Sequence, residues 1–192
     1  MPMFSHPEWV NDLSQNPPVM ENSSVFLRPF TNADTHVFVE AGTDPNIYEV
    51  FCTVEKGCDT DQAVSTIKVL RRRTAEHGIA YAIADVETNR AVGYLKISTS
   101  NLSKGRVVLG IWTSPLRRDK GHMSDAVQMA VRWLFSLEGV FRVEATVAPW
   151  NVASQRVFEK CGFQREAFIL SYELREGVPQ DMYLYGLVTR TP

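Results

Sequence analysis

The sequence predicts an α/β fold in which helices flank one mixed sheet, with the element order βααβββαβαββ. Residues 79–113 contain three stretches of alternating or nearly continuous apolar residues separated by turn residues, a pattern typical of strands. The stretches on either side of this region carry apolar residues at helical spacing. A long amphipathic helix lies between two strand-like stretches, so those two strands are expected to be parallel and joined by a right-handed crossover.

Length and charge limit the classes of function. The 192 residues fit one domain, and an apolar fraction of 44% is enough for a core. With 20 basic and 22 acidic residues the net charge is −2, which predicts neither a nucleic acid nor an anionic membrane as partner. Three cysteines without CxxC spacing favour free thiols in a reducing cytoplasm over a disulfide framework or a metal site. No signal peptide or membrane span is predicted.

The N-terminal part of the chain divides into an arm and the start of the domain. Residues 1–24 contain four prolines among polar residues and are predicted to form an extended arm, so the domain is placed at residues 25–190. The first strand, VFLRP, ends at Pro29. Thr31 and Asp34 have the spacing of a capping box, which predicts that a helix begins at Thr31.

The following region is predicted to be less regular. The first helix is expected to end near Asp44, and residues 45–60 are predicted to be a loop or a broken helix. Either Thr60 or Asp61 caps the next helix, which Gly78 ends.

The rest of the chain alternates between strands and helices. Strands are predicted at 79–85, 91–99, 106–113, 140–148, Ala167–Leu174 and Met182–Val188, and helices at 124–137 and 151–163. The strand at 106–113, RVVLGIWT, is nearly continuously apolar, which predicts burial on both of its faces.

A basic loop with one glycine opens the helix that follows this strand. The first N–H groups of a helix lack internal partners and lie at the positive end of its dipole, so such a loop can bind a phosphate. Gly121 allows close approach of the backbone, while Arg117, Arg118 and Lys120 add positive charge. Taken alone, the stretch is equally explained by a solvated basic loop with a glycine turn. It matches neither a Walker A loop nor a dinucleotide-binding fingerprint.

A second candidate site lies at the start of the helix at 151–163. Asn151 is predicted to cap this helix, and Ser154 lies one turn further on the same face. Together they offer an amide and a hydroxyl to a ligand, although a simple capping residue and a helical serine explain them as well.

The two stretches together resemble the GNAT superfamily of N-acetyltransferases, and within it the ribosomal-protein N-terminal acetyltransferases of the RimJ/RimL type. The family pattern at the strand–helix junction is met by Arg118, Lys120, Gly121, Ser124, Asp125 and Ala126, whereas Asp119, His122 and Met123 depart from it. The second pattern, N-x-x-S followed by K-x-G-F, is met by Asn151, Ser154, Lys160, Gly162 and Phe163. The resemblance covers residues 24–188.

The resemblance implies acetyl-CoA as the cofactor, held in a V-shaped gap between splayed parallel strands at 107–113 and 142–148. Backbone groups of Ile111, Trp112 and Thr113 would pair with the pantetheine arm as an added strand. Residues 117–124 would hold the pyrophosphate: Arg117, Arg118, Asp119, Lys120, Gly121, His122, Met123 and Ser124. Asn151, Ser154 and Phe158 complete the implied binding set.

The resemblance also implies direct attack of an amine on the thioester. Ser154 would give a proton to the CoA thiolate, Asn151 would orient the pantetheine amide or the acceptor, and an N–H near Ile111 would stabilise the oxyanion. Val108 stands where many relatives carry Glu. Glu144 on the neighbouring strand is therefore the candidate base, with a structural arginine partner as its alternative role.

The acceptor is less well defined. Residues 45–60 are expected over the acceptor end of the gap, with Tyr48, Glu49 and Phe51 as substrate-binding residues, and acids with aromatics suit a cationic amine. A solvated loop with two core anchors explains them equally, so small-molecule and peptide α-amines both stay open, as does a homodimer. A second hypothesis is a non-catalytic CoA-binding or interaction module, which the missing Glu, Asp119 and Met123 favour and Asn151 and Ser154 oppose.

Overall fold

A computed structural model describes residues 17–71, 78–99, 105–175 and 177–189, in which eight strands form one mixed sheet with helices on both faces. The strands are β1 (Met20–Glu21), β2 (Val25–Arg28), β3 (Ile79–Asp85), β4 (Ala91–Ser98), β5 (Arg106–Thr113), β6 (Arg142–Val147), β7 (Gln164–Arg175) and β8 (Val178–Val188). The α-helices are α1 (Thr35–Ala41), α2 (Pro45–Tyr48), α3 (Thr60–Arg71), α4 (His122–Leu134) and α5 (Val152–Lys160), and 3-10 turns lie at Asn32–Asp34 and Pro115–Arg117.

The strand order across the sheet is β1-β2-β3-β4-β5-β6-β8-β7. Neighbouring strands run antiparallel except β5 and β6, which are parallel and are connected through α4. This confirms the predicted α/β fold with a mixed sheet and a central β-α-β unit, because a parallel pair needs a crossover of this length. β1 lies inside the segment predicted as an arm and pairs with β2, the first strand of the predicted domain, and residues 1–16 of the arm lie outside the described residues.

Two hydrophobic cores lie on opposite faces of the sheet. One contains alternate residues of β3 to β6, such as Tyr81, Leu109 and Val143, packed against α4. The other contains the intervening strand residues, among them Tyr94 and Trp112, packed against α1, α2 and α3. Because side chains alternate across a strand, a helix layer on each face explains why β3, IAYAIAD, is apolar at almost every position.

The prediction for β5 is only partly right. Val107, Leu109 and Ile111 are buried on one face, but Val108 and Gly110 on the other face are only half-buried. The physical reason is that β6 stops pairing with β5 after Val108, and Gly110 lies in the wall of the cleft that opens there.

The first helical region begins with the predicted capping arrangement. The Asp34 carboxylate accepts hydrogen bonds from the N–H of Thr31 at 2.8 Å and from its hydroxyl at 2.9 Å. The first turn is a 3-10 turn, and α1 ends at Ala41, earlier than the predicted Asp44. At Gly42 an added Cβ would lie 2.7 Å from the backbone nitrogen of Cys58, so the chain turns where only glycine fits.

The cap of α3 is Asp59, one residue before the predicted positions. Its carboxylate accepts from the Gln62 N–H at 2.8 Å, while the Gln62 side chain accepts from the Asp59 N–H at 2.9 Å. This reciprocal pair is a complete capping box, which Thr60 and Asp61 lack the spacing to form with Gln62. Gly78, the predicted end of this helix, follows residues 72–77, which lie outside the described residues.

Candidate active site

A cleft opens where β5 and β6 part. The two strands pair only from Arg106 with Arg142 to Val108 with Glu144, and beyond this point both continue without pairing to each other. The cleft between them has a cavity volume of about 60 Å³ and is partly open to solvent. Its walls come from β5, the end of β6, the start of α5, the loop after α2 and the β7–β8 hairpin. The predicted splayed gap is therefore present in this fold.

One wall is the first two turns of α5. Asn151 caps the helix through its Oδ1, which accepts from the Ser154 N–H at 3.1 Å, as predicted. Asn151, Ser154 and Phe158 all line the cleft. Phe158 is buried, stacks against Tyr185 and anchors this wall to the core. Since the Asn151 oxygen is occupied by the cap, its amide N–H groups are what it can offer to a ligand.

β5 forms the opposite wall with its backbone. Leu109, Gly110 and Ile111 line the cleft, and β4 pairs with the other edge of β5 as far as Thr113. Trp112 points into the second core, where its ring stacks on Tyr94 at 5.5 Å between centroids. Its role in binding a ligand is therefore limited to its backbone, which is how the resemblance uses it.

The predicted phosphate loop connects the end of β5 to α4. Gly121 is exposed at φ 81°, directly before the first helical residue, and nothing lies within 4 Å of an added Cβ. Arg117 and Lys120 have no ion-pair partner among the described residues, and the buried Arg117 Nε and His122 Nδ1 have no hydrogen-bond partner there. Unpaired cations and open backbone at the start of a 13-residue helix suit a bound polyphosphate.

Other residues of this loop are already engaged. Arg118 forms an ion pair with Asp44, which caps α2, and this pair ties the loop to the opposite helix layer. Asp119 is exposed at φ 65°. Met123, which replaces a small residue of the family pattern, is buried in the core against the sheet. Ser124 is buried too, and its carbonyl lies 3.5 Å from the Cys161 sulfur. His122 contacts Asp85, with 3.6 Å between Nε2 and Oδ2.

Glu144 lies outside the cleft-lining residues. Its carboxylate is buried and pairs with Arg142 and, at 3.5 Å, with Arg106. Arg142 also binds Glu166, which holds the pKa of Glu166 below its usual range. The structural role that the sequence left open for Glu144 is therefore the one that this geometry favours.

The three predicted substrate-binding residues, at the end of α2 and just after it, differ in whether they reach the cleft. Phe51 lines it and packs against Gly110, with 3.4 Å between Cε1 and an added Cβ. Tyr48 packs partly buried against the second core instead. Glu49 forms an ion pair with Arg175 at 3.2 Å. Of the three predicted substrate-binding residues, the structure brings only Phe51 to the cleft wall.

The sequence analysis missed the contribution of the β7–β8 hairpin. Glu173, Arg175 and Gln180 line the cleft, as does Trp150 before α5. The Arg175 guanidinium lies over the Trp150 ring at 4.8 Å from its centroid and donates to the Pro45 carbonyl at 3.3 Å. The concentration of charged residues near the end of β7 was visible in the sequence, but nothing there indicated that β7 lies beyond β8 and faces this cleft.

The described thiols do not provide a nucleophile in the cleft. Burial raises the pKa of Cys161 to about 11, so its thiolate is scarce at neutral pH, and the residue does not line the cleft. Cys52 and Cys58 are also outside the cleft-lining set. Among the described residues, therefore, no cysteine is placed to act as a nucleophile in the cleft.

Comparison with known proteins agrees with this geometry. A family model described as "Acetyltransferase (GNAT) domain" matches residues 24–164. "Uncharacterized N-acetyltransferase YoaA" of Bacillus subtilis is 26% identical over 172 residues, covering 89% of this chain and 97% of the relative. Among the helices in the described ranges, none has the length and apolarity to cross a membrane.

Two solved structures share the fold. Mycobacterium smegmatis RimJ in complex with CoA-disulfide has a TM-score of 0.72 and 22% identity, and the match covers 86% of this chain and 82% of that one. Spermidine N-acetyltransferase from Vibrio cholerae in complex with CoA and spermine has a TM-score of 0.68 and 17% identity. This match covers 87% of this chain and 96% of that one.

Proposed function

The chain belongs to the GNAT family of acetyltransferases, and from this premise we propose that it transfers an acetyl group from acetyl-CoA to an amine. The acceptor is a small molecule or a peptide with an α-amine. The observation that carries the proposal is the cleft between the parted strands β5 and β6, with Asn151 and Ser154 in its wall. The three thiols are unpaired, which fits action in the reducing cytoplasm.

The residues present fit acetyl-CoA, which when bound supplies the transferred acetyl group, activated as a thioester. Arg117, Lys120 and the open backbone around Gly121 would hold its pyrophosphate. The backbone of β5 beyond Val108, which β6 leaves unpaired, receives the pantetheine arm as an added strand. The Asn151 amide orients either that arm or the acceptor.

The chain then assists the exchange of one acyl bond for another. An N–H of β5 near Ile111 would donate to the thioester oxygen as negative charge develops on it. The amine nitrogen would bond to the carbonyl carbon as the carbon–sulfur bond breaks, and the Ser154 hydroxyl would give a proton to the departing sulfur and regain one from water. Val108 provides no carboxylate and two arginines hold Glu144, so neither residue takes the amine proton, which passes to water.

The test combines calorimetry of CoA binding with release of free thiol from acetyl-CoA in the presence of a panel of amines. We expect CoA to bind and thiol release to depend on the amine. Absence of CoA binding at millimolar concentration would refute the proposed function. CoA binding without amine-dependent thiol release would instead support the non-catalytic module.

A further inference from the structure

The acidic residues Glu49, Glu55 and Asp59 belong to residues 45–60, the segment expected over the acceptor end of the gap, but all three are engaged elsewhere. Glu49 pairs with Arg175, Glu55 accepts from the Gln62 side chain at 2.8 Å, and Asp59 caps α3. None of the three lines the cleft. If the cleft holds a cationic acceptor, a different residue supplies the negative charge.

Glu173 is the carboxylate residue in the cleft wall. It lies near the end of β7, opposite Gln180 of β8, and both residues line the cleft together with Ser154. The Gln180 amide is directed to the carbonyls of Val178 and Pro179, at 3.4 and 3.3 Å, and so does not occupy the Glu173 oxygens. Within the described ranges, Glu173 has neither an ion-pair partner nor a hydrogen bond from a side chain.

The positively charged residue closest to Glu173 along the strand, Arg175, already has an ion-pair partner. Arg175 lines the same cleft, but its guanidinium is paired with Glu49, lies over Trp150 and donates to Pro45. These three contacts join the hairpin to the first residue of α2, to the residue that follows α2 and to Trp150, and they leave the Glu173 charge uncompensated. Glu173 is itself exposed, but it lines a concave cleft, and a concave site focuses the field of a carboxylate more than an open surface does.

An irregularity in β7 positions the end of the hairpin. Four residue steps on β7, from Ile169 to Glu173, oppose two on β8, from Met182 to Gln180. Ser171 lies in this bulge at φ 50°, and its N–H donates to the Asp181 carboxylate at 2.9 Å. Bulges bend a strand and re-aim the side chains that follow, and they concentrate next to active sites.

We infer that Glu173 binds the ammonium group of the acceptor, so that this enzyme selects cationic amines. The inference deepens the proposed function and rests on it. Glu173 acts as a specificity-determining residue: its carboxylate accepts a charge-assisted hydrogen bond from the ammonium form of the acceptor and places the nitrogen in the cleft that Ser154 lines, where the ammonium loses a proton to water before the nitrogen attacks. Neutral analogues of the same shape lack this contact.

The experiment measures binding of matched probes to the CoA-saturated protein by calorimetry. The cationic probes are alaninamide, which presents an α-ammonium group, and 1,4-diaminobutane, and the neutral probes of equal shape are lactamide and 1,4-butanediol. We expect the cationic probes to bind and the neutral ones to bind at least tenfold more weakly. Glu173→Gln should lower the affinity for the cationic probes about fivefold, or roughly 1 kcal/mol, without changing the affinity for CoA.

Two variants separate charge from shape. Glu173→Asp keeps the carboxylate and should retain most of the affinity. Glu87→Gln removes the same charge from the turn after β3, outside the cleft, and should bind the probes like wild type. Added salt should weaken the binding of the cationic probes to wild type more than their binding to Glu173→Gln. The reason is that salt screens the contact between the Glu173 carboxylate and the ammonium group, which the variant lacks.

The outcomes distinguish the two proposals. If CoA binds but Glu173→Gln and wild type hold the cationic probes equally, Glu173 has no role in recognition and the inference is overturned. Wild-type protein that binds CoA and none of the cationic probes overturns it as well. Failure of CoA itself to bind would overturn the proposed function, and the inference with it.

Discussion

At the scale of single residues, Ser154 is the group whose removal tests the mechanism most directly. Its hydroxyl lies in the cleft wall, while its N–H is held by the Asn151 cap. A donor to the departing sulfur stabilises the transition state more than the bound thioester. Ser154→Ala should therefore lower kcat with little change in the KM for acetyl-CoA, by less than the ~100-fold typical of general acids, because a thiolate already leaves readily.

The matched control is another serine in the first turns of a helix. Ser65 in α3 is exposed and donates to the Asp61 carbonyl at 3.0 Å, so Ser65→Ala should leave kcat unchanged. Steady-state kinetics with a true acceptor provide the measurement. A wild-type kcat in Ser154→Ala would remove Ser154 from the mechanism, and loss of CoA affinity would make it a positioning residue.

At the scale of elements, the start of α4 is expected to carry the phosphate site. A valine at position 121 puts a branched side chain where the open backbone would meet the pyrophosphate. Gly121→Val should reduce CoA affinity at least tenfold, or about 1.4 kcal/mol. The left-handed φ of 81° also costs stability, on the order of 1–3 kcal/mol, which the control must account for.

Gly139 provides that control, because it has the same φ of 81° and equally open space but lies in the loop before β6. Gly139→Val should lose similar stability and keep full CoA affinity. Calorimetric titration of both variants with CoA measures the difference. Equal CoA affinities in the two variants would argue against a phosphate site at Gly121.

At the scale of the whole molecule, a partly buried ion pair joins distant parts of the first half. Arg28 of β2 binds Asp34 through two hydrogen bonds of 2.7 and 2.9 Å, and donates to the Asn89 carbonyl in the β3–β4 turn at 2.8 Å. Burial of Asp34 by itself would raise its pKa, but the contacts with Arg28 and Thr31 hold that pKa below its usual value of 3.8.

Acid unfolding should therefore depend on Asp34. Because the native pKa lies below that of the unfolded chain, its stabilising contribution is complete above pH 3.8 and disappears as the pH falls through the lower native value. Asp34→Asn should cost about 3 kcal/mol of unfolding free energy at neutral pH and flatten the pH dependence below 3.8.

Urea unfolding as a function of pH measures both effects. Asp61→Asn, at an exposed position in the first turn of α3, should change the unfolding free energy by less than about 0.5 kcal/mol. A neutral-pH stability of Asp34→Asn equal to that of wild type would contradict a stabilising role for the pair.

The sequence by itself determined those features that depend on neighbours along the chain. Alternation identified β3 and β4, a nearly continuous apolar run identified β5, and helical spacing identified α4. Asn151 was recognised as a cap because a cap bonds to an N–H only three residues away. The Asp59 cap was missed by one residue for a local reason too, since three polar residues in a row, 59–61, compete for the position.

Only the tertiary structure decided which side chains meet in the cleft. The ion pairs of Glu49 with Arg175 and of Arg118 with Asp44 join residues far apart in the chain, and they withdraw charges that the sequence assigned to ligands. Glu173 reaches the cleft because β7 lies beyond β8 in the sheet and contains a bulge just before Glu173. Periodic patterns in the sequence indicate which face of an element is buried. The contacts between side chains in the cleft depend instead on sheet order and strand register, which short-range interactions do not encode.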